Sequence, residues 1–175
     1  MAVMRTLYLL RHAKSSWDEP DRDDHDRPLA GRGVRATPYV AAHMRRQAIT
    51  PRLILCSSAR RTRETLGLLG DAVPIDCTVQ VEEDLYDASA DDLLHRLRAV
   101  PADADHVMVI GHNPALQRLA WLLARSGEGL SRLTRKFPTA ALATLHADVD
   151  DWSQLSRGCA RLADFVRPKD LDVPR

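Results

Sequence analysis

A chain of 175 residues, 45% apolar and 28% charged, has the length and composition of one globular domain with its own hydrophobic core. Its 25 Lys and Arg nearly balance 24 Asp and Glu, leaving a formal net charge of +1. No global field therefore points to nucleic acid or a membrane as partner, and no run approaches the ~20 apolar residues of a membrane span.

"TLYLL" (6–10) is a bounded apolar run and reads as a buried strand ending in Arg11 and His12. The preceding residues carry no signal peptide, because the apolar stretch 7–10 is bracketed by Arg5 and Arg11. The acidic run "DEPDRDDHD" (18–26) reads as a polar loop. Residues 30–47 look helical, but Pro38 means that the helix either starts near Thr37 or is kinked there. "LILC" (53–56) is a second strand, followed by the helical "ARRTRETLGLLG" with Gly70 as its stop.

"DDLLHRLRAV" (91–100) is a helix with Leu93, Leu94 and Leu97 on one face. "HVMVIG" (106–111) is a third strand, leading into "NPALQRLAWLLAR" (113–125), where Asn113 suits an N-cap and Pro114 the first helical turn. "AALATLHA" (140–147) and "GCARLADFV" (158–166) are later strands, the last of them expected at a sheet edge. This alternation predicts an α/β three-layer sandwich, a mostly parallel central sheet flanked by helices, over a single domain 1–175. Of the tryptophans, Trp121 is expected in the core. The three cysteines, Cys56, Cys77 and Cys159, are isolated and odd in number, which fits a reducing cytoplasm and no metal site.

Three junctions break local rules in the same way. Arg11 and His12 stand at the carboxyl end of a strand, where open α/β sheets bind ligands. Ser57 or Ser58 would cap the next helix, placing Arg60, Arg61 and Arg63 near a helix N-terminus that cations destabilise. His112 leaves a buried strand just before a helix start, where free N–H groups favour phosphate. Together they suggest anion binding at the sheet's carboxyl edge, with Arg orienting a phosphoryl group and a neutral His12 attacking it.

"LRHAKS", "SSARRTRETL" and "IGHNP" resemble the three signatures of the histidine phosphatase superfamily, and within it the short SixA-type phosphohistidine phosphatases. "DHDRPLAGRG" (24–33), "EEDLYDAS" (82–89) and "FVRPKDL" (165–171) look like the same branch. The resemblance implies a phosphoglycerate-mutase-like fold with little or no cap, and no metal or cofactor. It implies His12 as nucleophile through a phosphohistidine intermediate, Arg11 and Arg61 clamping the phosphate, and His112 stabilising the transition state. Asn113 would offer its backbone N–H, with Ser57 as a further binding residue. Asp84, with Glu83 as its rival, would be the general acid; Ala13 stands where the family usually has glycine.

The implied substrate is a phosphorylated protein, through phosphohistidine, handled by a cytoplasmic monomer. Alternatives are a small-molecule phosphomonoesterase using the same site, or a non-catalytic phosphate-binding module. The acidic loop 18–26 is expected at the rim of the site, repelling polyanionic small molecules, or else simply pairing with Arg22, Arg27 and Arg32.

Overall fold

The computed structural model describes residues 4–173. A seven-stranded sheet holds the molecule together, in the order β3-β2-β4-β1-β6-β7-β5. Its strands are β1 (Arg5–Arg11), β2 (Leu53–Ser57), β3 (Thr78–Glu82), β4 (His106–Gly111), β5 (Ala124–Ser126), β6 (Leu142–Ala147) and β7 (Ala160–Val166). β1 to β4 run parallel to one another. β6 is antiparallel to both of its neighbours, and β7 pairs parallel with β5. The helices are α1 (Gly31–Arg46), α2 (Arg60–Leu69), α3 (Ala90–Arg98), α4 (Ala115–Leu123) and α5 (Leu130–Arg135).

Strand side chains alternate between faces, and here both faces are apolar. Leu7, Leu9, Leu53, Leu55, Val107 and Val109 face one core with the leucines of α3, α4 and α5. Tyr8, Leu10, Ile54, Cys56, Met108 and Ile110 face the other, with Val40, Ala41 and Met44 of α1 and Leu69 of α2. Helices therefore cover both sides, and the three-layer expectation holds. β1, buried on both faces between β4 and β6, delivers Arg11 and His12 to the sheet's carboxyl edge.

Several local expectations change. α1 begins at Gly31 and runs through Pro38. Thr37 Oγ1 donates to Gly33 O at 2.8 Å, and Val34, whose carbonyl loses its donor at Pro38, is on the exposed side. β3 went unread because its valines face outward on an edge strand, with Val79 and Val81 exposed. The helix predicted over 113–125 ends at Leu123, and its last residues form the three-residue strand β5. β5 covers β7, so β7 is not the edge. Trp121 is 56% exposed, with the Arg157 guanidinium 5.3 Å from its ring centre, whereas Trp152 is fully buried and donates to Ala104 O at 2.6 Å.

One close approach fixes the entry to the site. α1 crosses the segment after His12 so closely that a Cβ on Gly33 would lie 2.3 Å from the carbonyl oxygen of Lys14. Gly33→Ala should therefore destabilise the protein by about 1–3 kcal/mol, the ordinary cost of overpacking. Urea unfolding checks this: the midpoint should fall with the slope unchanged.

Candidate active site

Because β1, β4 and β2 are adjacent and parallel, their carboxyl ends bring three junctions to one edge. His12 is buried there, its Nδ1 2.7 Å from the carbonyl oxygen of Ala13. Only an N–H can pair with a carbonyl, so Nδ1 holds the proton and Nε2 keeps its lone pair. The Ala13 N–H donates to Thr65 Oγ1 at 3.0 Å, and that hydroxyl donates to Arg61 O at 2.7 Å. Arg61 and Thr65, four apart on α2, are both buried on one face of the helix, and Ser57 ends β2 just before it.

His112 leaves β4 with its ring 5.3 Å from that of His12, centre to centre. Its Nε2 lies 2.8 Å from Ser57 Oγ, which also accepts the Ala59 N–H at 3.3 Å. Arg11 donates to Phe137 O at 2.9 Å. Arg61 donates through Nη1 to Asp24 O at 2.8 Å and through Nη2 to Asp24 Oδ2 at 3.1 Å. Among the described residues, Arg11 Nε, Arg61 Nε and His112 Nδ1 are buried with no hydrogen-bond partner. Polar atoms left this way are costly, and the two guanidinium N–H groups among them suit an anionic ligand.

The sequence matches the histidine phosphatase superfamily (branch 1) over residues 7–149. The chain belongs to that superfamily. It is 35% identical over 165 residues to an uncharacterised protein of Mycobacterium tuberculosis, spanning 91% of this chain and 100% of the relative. A Nakamurella multipartitia structure assigned as the phosphohistidine phosphatase SixA superposes with TM-score 0.81 at 34% identity, covering 95% of this chain and 98% of that one. An Agrobacterium tumefaciens structure with the same assignment gives TM-score 0.78 at 31% identity, covering 94% and 99%.

Two residues that touch this candidate site come from outside the three junctions. Asp24, at the end of the acidic loop, accepts from Arg61, from Arg27 Nε at 3.0 Å and from the Tyr86 hydroxyl. Tyr86 follows a short 3-10 turn (Glu83–Leu85) and packs edge-on against His112 and His25, at 5.7 and 4.8 Å between ring centres. His25 Nε2 is 2.9 Å from Ser58 Oγ. The loop thus reaches the site and also pairs Arg22 with Glu19 and Arg27 with Asp24; Arg32 takes no part in it. Asp24 could be noticed only as the last acid before "HDRPL", and Tyr86 only as the aromatic two residues beyond Asp84.

The structure brings together Arg11, His12, Ser57, Arg61 and His112. Asn113 adjoins them through Phe137 O, which its Nδ2 reaches at 3.1 Å while Arg11 binds the same oxygen. α4 starts one residue later than an Asn113 N-cap implies, with Pro114 in the cap position, and Asn113 Oδ1 instead accepts the Gln117 N–H at 3.3 Å. Neither serine caps α2: Ala59 holds that position without a side-chain bond. Arg60 pairs with Glu64 and Arg63 with Ser58 O, so of this cluster only Arg61 turns inward. Asp84 and Glu83 are exposed, and neither is hydrogen-bonded or ion-paired to the cluster.

Burial, more than the neighbouring cations, pushes the His12 imidazole down to about 3, with His112, Arg61 and Arg11 adding to it and the Ala13 carbonyl opposing. Burial likewise lowers His112 to about 4, with Arg61 the next cause. Both rings are therefore neutral near pH 7. Asp24 falls to about 2, chiefly through the Tyr86 hydroxyl, so it stays ionised and keeps Arg61 in place.

A histidine with a lowered folded pKa takes its proton more readily when unfolded, so stability falls as pH drops below ~6.5 toward the folded value. The unfolding midpoint should accordingly decline from pH 6.5 to 4 and stay flat just above that range. In a His12→Asn/His112→Asn variant the decline should be shallower, which thermal unfolding across pH would show.

Proposed function

We propose that the chain is a metal-independent phosphatase that passes a phosphoryl group through His12, with phosphohistidine in proteins as its substrate class. The observation that carries this reading is the His12 ring, locked by Ala13 O with Nε2 free, amid three buried polar atoms that no protein group satisfies. In-line attack by Nε2 on phosphorus forms the N–P bond as the bond to the leaving group breaks. Arg11, Arg61 and His112 hold the phosphoryl oxygens, where negative charge is carried in the transition state. With the Ser57 hydroxyl donating to His112 Nε2, the proton on that ring sits on Nδ1 and points to the phosphoryl group. The Asn113 backbone N–H adds a donor. Water then attacks the phosphohistidine, releasing phosphate and restoring His12.

Support for a phosphoramidate substrate comes from what surrounds the leaving group. Asp84 and Glu83 form no hydrogen bond or ion pair with the cluster, and Asp24 is held ionised, so among the described residues neither these acids nor Asp24 is set to protonate an alcohol. A departing substrate imidazole needs none: its remote ring nitrogen takes a proton from solvent, and the ring leaves neutral. The SixA assignments of structures 34% and 31% identical to this chain support the same class.

His12→Ala should lower turnover by about 10³-fold or more, as loss of a nucleophile does. Labelled phosphate should be trapped on His12 of the wild-type protein under a denaturing alkaline quench, since phosphohistidine is lost in acid. Arg61→Lys should cost about 10²-fold, because a point charge cannot replace a fork shared with Asp24. A panel of phosphohistidine peptide, sugar phosphates and p-nitrophenyl phosphate decides the substrate. Faster turnover of a sugar phosphate than of the peptide would favour the small-molecule reading, and activity retained by His12→Ala would end the catalytic assignment.

A further inference from the structure

Between α1 and α5, a concave groove of about 810 Å³ adjoins the site without belonging to it. Lys14, two residues after His12, lines it together with Arg32 and Arg35 of α1. Arg132 and Arg135 of α5, Lys136, Arg167 and Lys169 line it as well. Eight of the chain's 25 Lys and Arg thus line one groove, and no Asp or Glu lines it.

Arg167 is bound by Asp170, which also faces Arg132. Among the described residues, Lys14, Arg32, Arg35, Arg135, Lys136 and Lys169 form no ion pair or side-chain hydrogen bond. Six unpaired cations converging on a concavity repel one another, and a protein that is nearly neutral overall has carboxylates it could have placed there. The lining between them is small and apolar, with Gly33, Ala36, Pro138 and Ala140.

We propose that this groove is a binding site for a compact oligophosphate, an anion carrying three or more phosphoryl groups. A single phosphate would leave most of these cations unmatched. Nucleic acid is disfavoured because no aromatic side chain lines the groove for bases to stack on. A flat bilayer does not enter a concavity, and an acidic peptide spaces its charges ~3.3 Å apart on alternating sides. Five of the eight cations are Arg, whose planar forks match phosphate oxygens, and the volume is that of a small-ligand site. The bound anion would touch Lys14 and the 136–140 segment, next to the groups that hold His12 and Arg11.

Titration calorimetry with tripolyphosphate tests this, using the His12→Ala protein so that no turnover intervenes. Tripolyphosphate should bind far more tightly than orthophosphate and lose affinity steeply with salt. Arg35→Glu/Arg135→Glu should weaken it by about tenfold or more, because two attractions become repulsions. Lys136→Ala/Lys169→Ala should give a smaller loss in the same direction. The wild-type background carrying Arg35→Glu/Arg135→Glu should keep its p-nitrophenyl phosphate turnover, which separates this groove from the His12 site. Absence of tripolyphosphate binding, or affinity unchanged by both pairs of substitutions, would overturn the proposal. So would tighter binding of a glutamate-rich peptide or of anionic vesicles, which would make the occupant a protein surface or a membrane.

Discussion

The backbone of Ala13 is the constraint on which the rest of the site depends. Its carbonyl fixes the proton on His12 Nδ1, and its N–H is held by Thr65, whose own hydroxyl reaches back to Arg61 O. The two peptide groups flanking one Cα thereby couple the ring's tautomer to the helix that presents a guanidinium. α1 presses on the next residue, since only a hydrogen at Gly33 fits against Lys14. On the other side the Ala140 N–H lies 3.1 and 3.0 Å from the carbonyl oxygens of Arg11 and His12. In the nucleophilic role proposed for His12, a ring held from three directions would spend little rotational freedom on reacting.

Burial completes what the hydrogen bonds begin. Two imidazoles beside two guanidiniums would be a poor cluster in water, where both rings take protons below pH ~6.5. Here desolvation comes first in lowering both, and the cations only reinforce it. Charge repulsion, the cause that residue types alone suggest, is thus the smaller contribution. The same burial leaves Arg11 and Arg61 charged but incompletely bonded, so donor capacity is concentrated where no protein acceptor lies.

What could be read along the chain was what repeats locally. Continuous apolar strands ending in Arg11-His12 and Gly111-His112 mark the sheet edge before any coordinates are known, whereas the inward arginine, Arg61, is picked out by the resemblance to the family's Ser-x-x-x-Arg-x-x-x-Thr pattern. Tertiary partners left no such mark. Asp24 sits among acids of the same kind, and only the position of Arg61 distinguishes it from Asp21 or Asp23. Tyr86 reaches the cluster while Asp84, two residues earlier on the same turn, stays exposed, because a 3-10 turn rotates successive side chains by about a third of a circle. β3 and β5 escaped for a related reason: an exposed edge and a three-residue strand bury too little to impose a period. A net charge of +1 concealed a basic groove and an acidic loop in the same way, by summing them.

Asp24 makes the choice of arginine at position 61 intelligible. Both Nη atoms of Arg61 are committed to Asp24, and Nε remains. A planar guanidinium can serve a carboxylate along one edge and an incoming oxyanion along another, which a single ammonium cannot do with fixed geometry. The carboxylate holds the side chain in place before substrate arrives and lowers the positive potential that would otherwise hold product. Because Asp24 is itself held by Arg27 and the Tyr86 hydroxyl, its charge is shared and the anion meets only part of it. On the proposed function, a site built this way would grip a phosphoryl group through direction more than through net charge, and release it for the same reason.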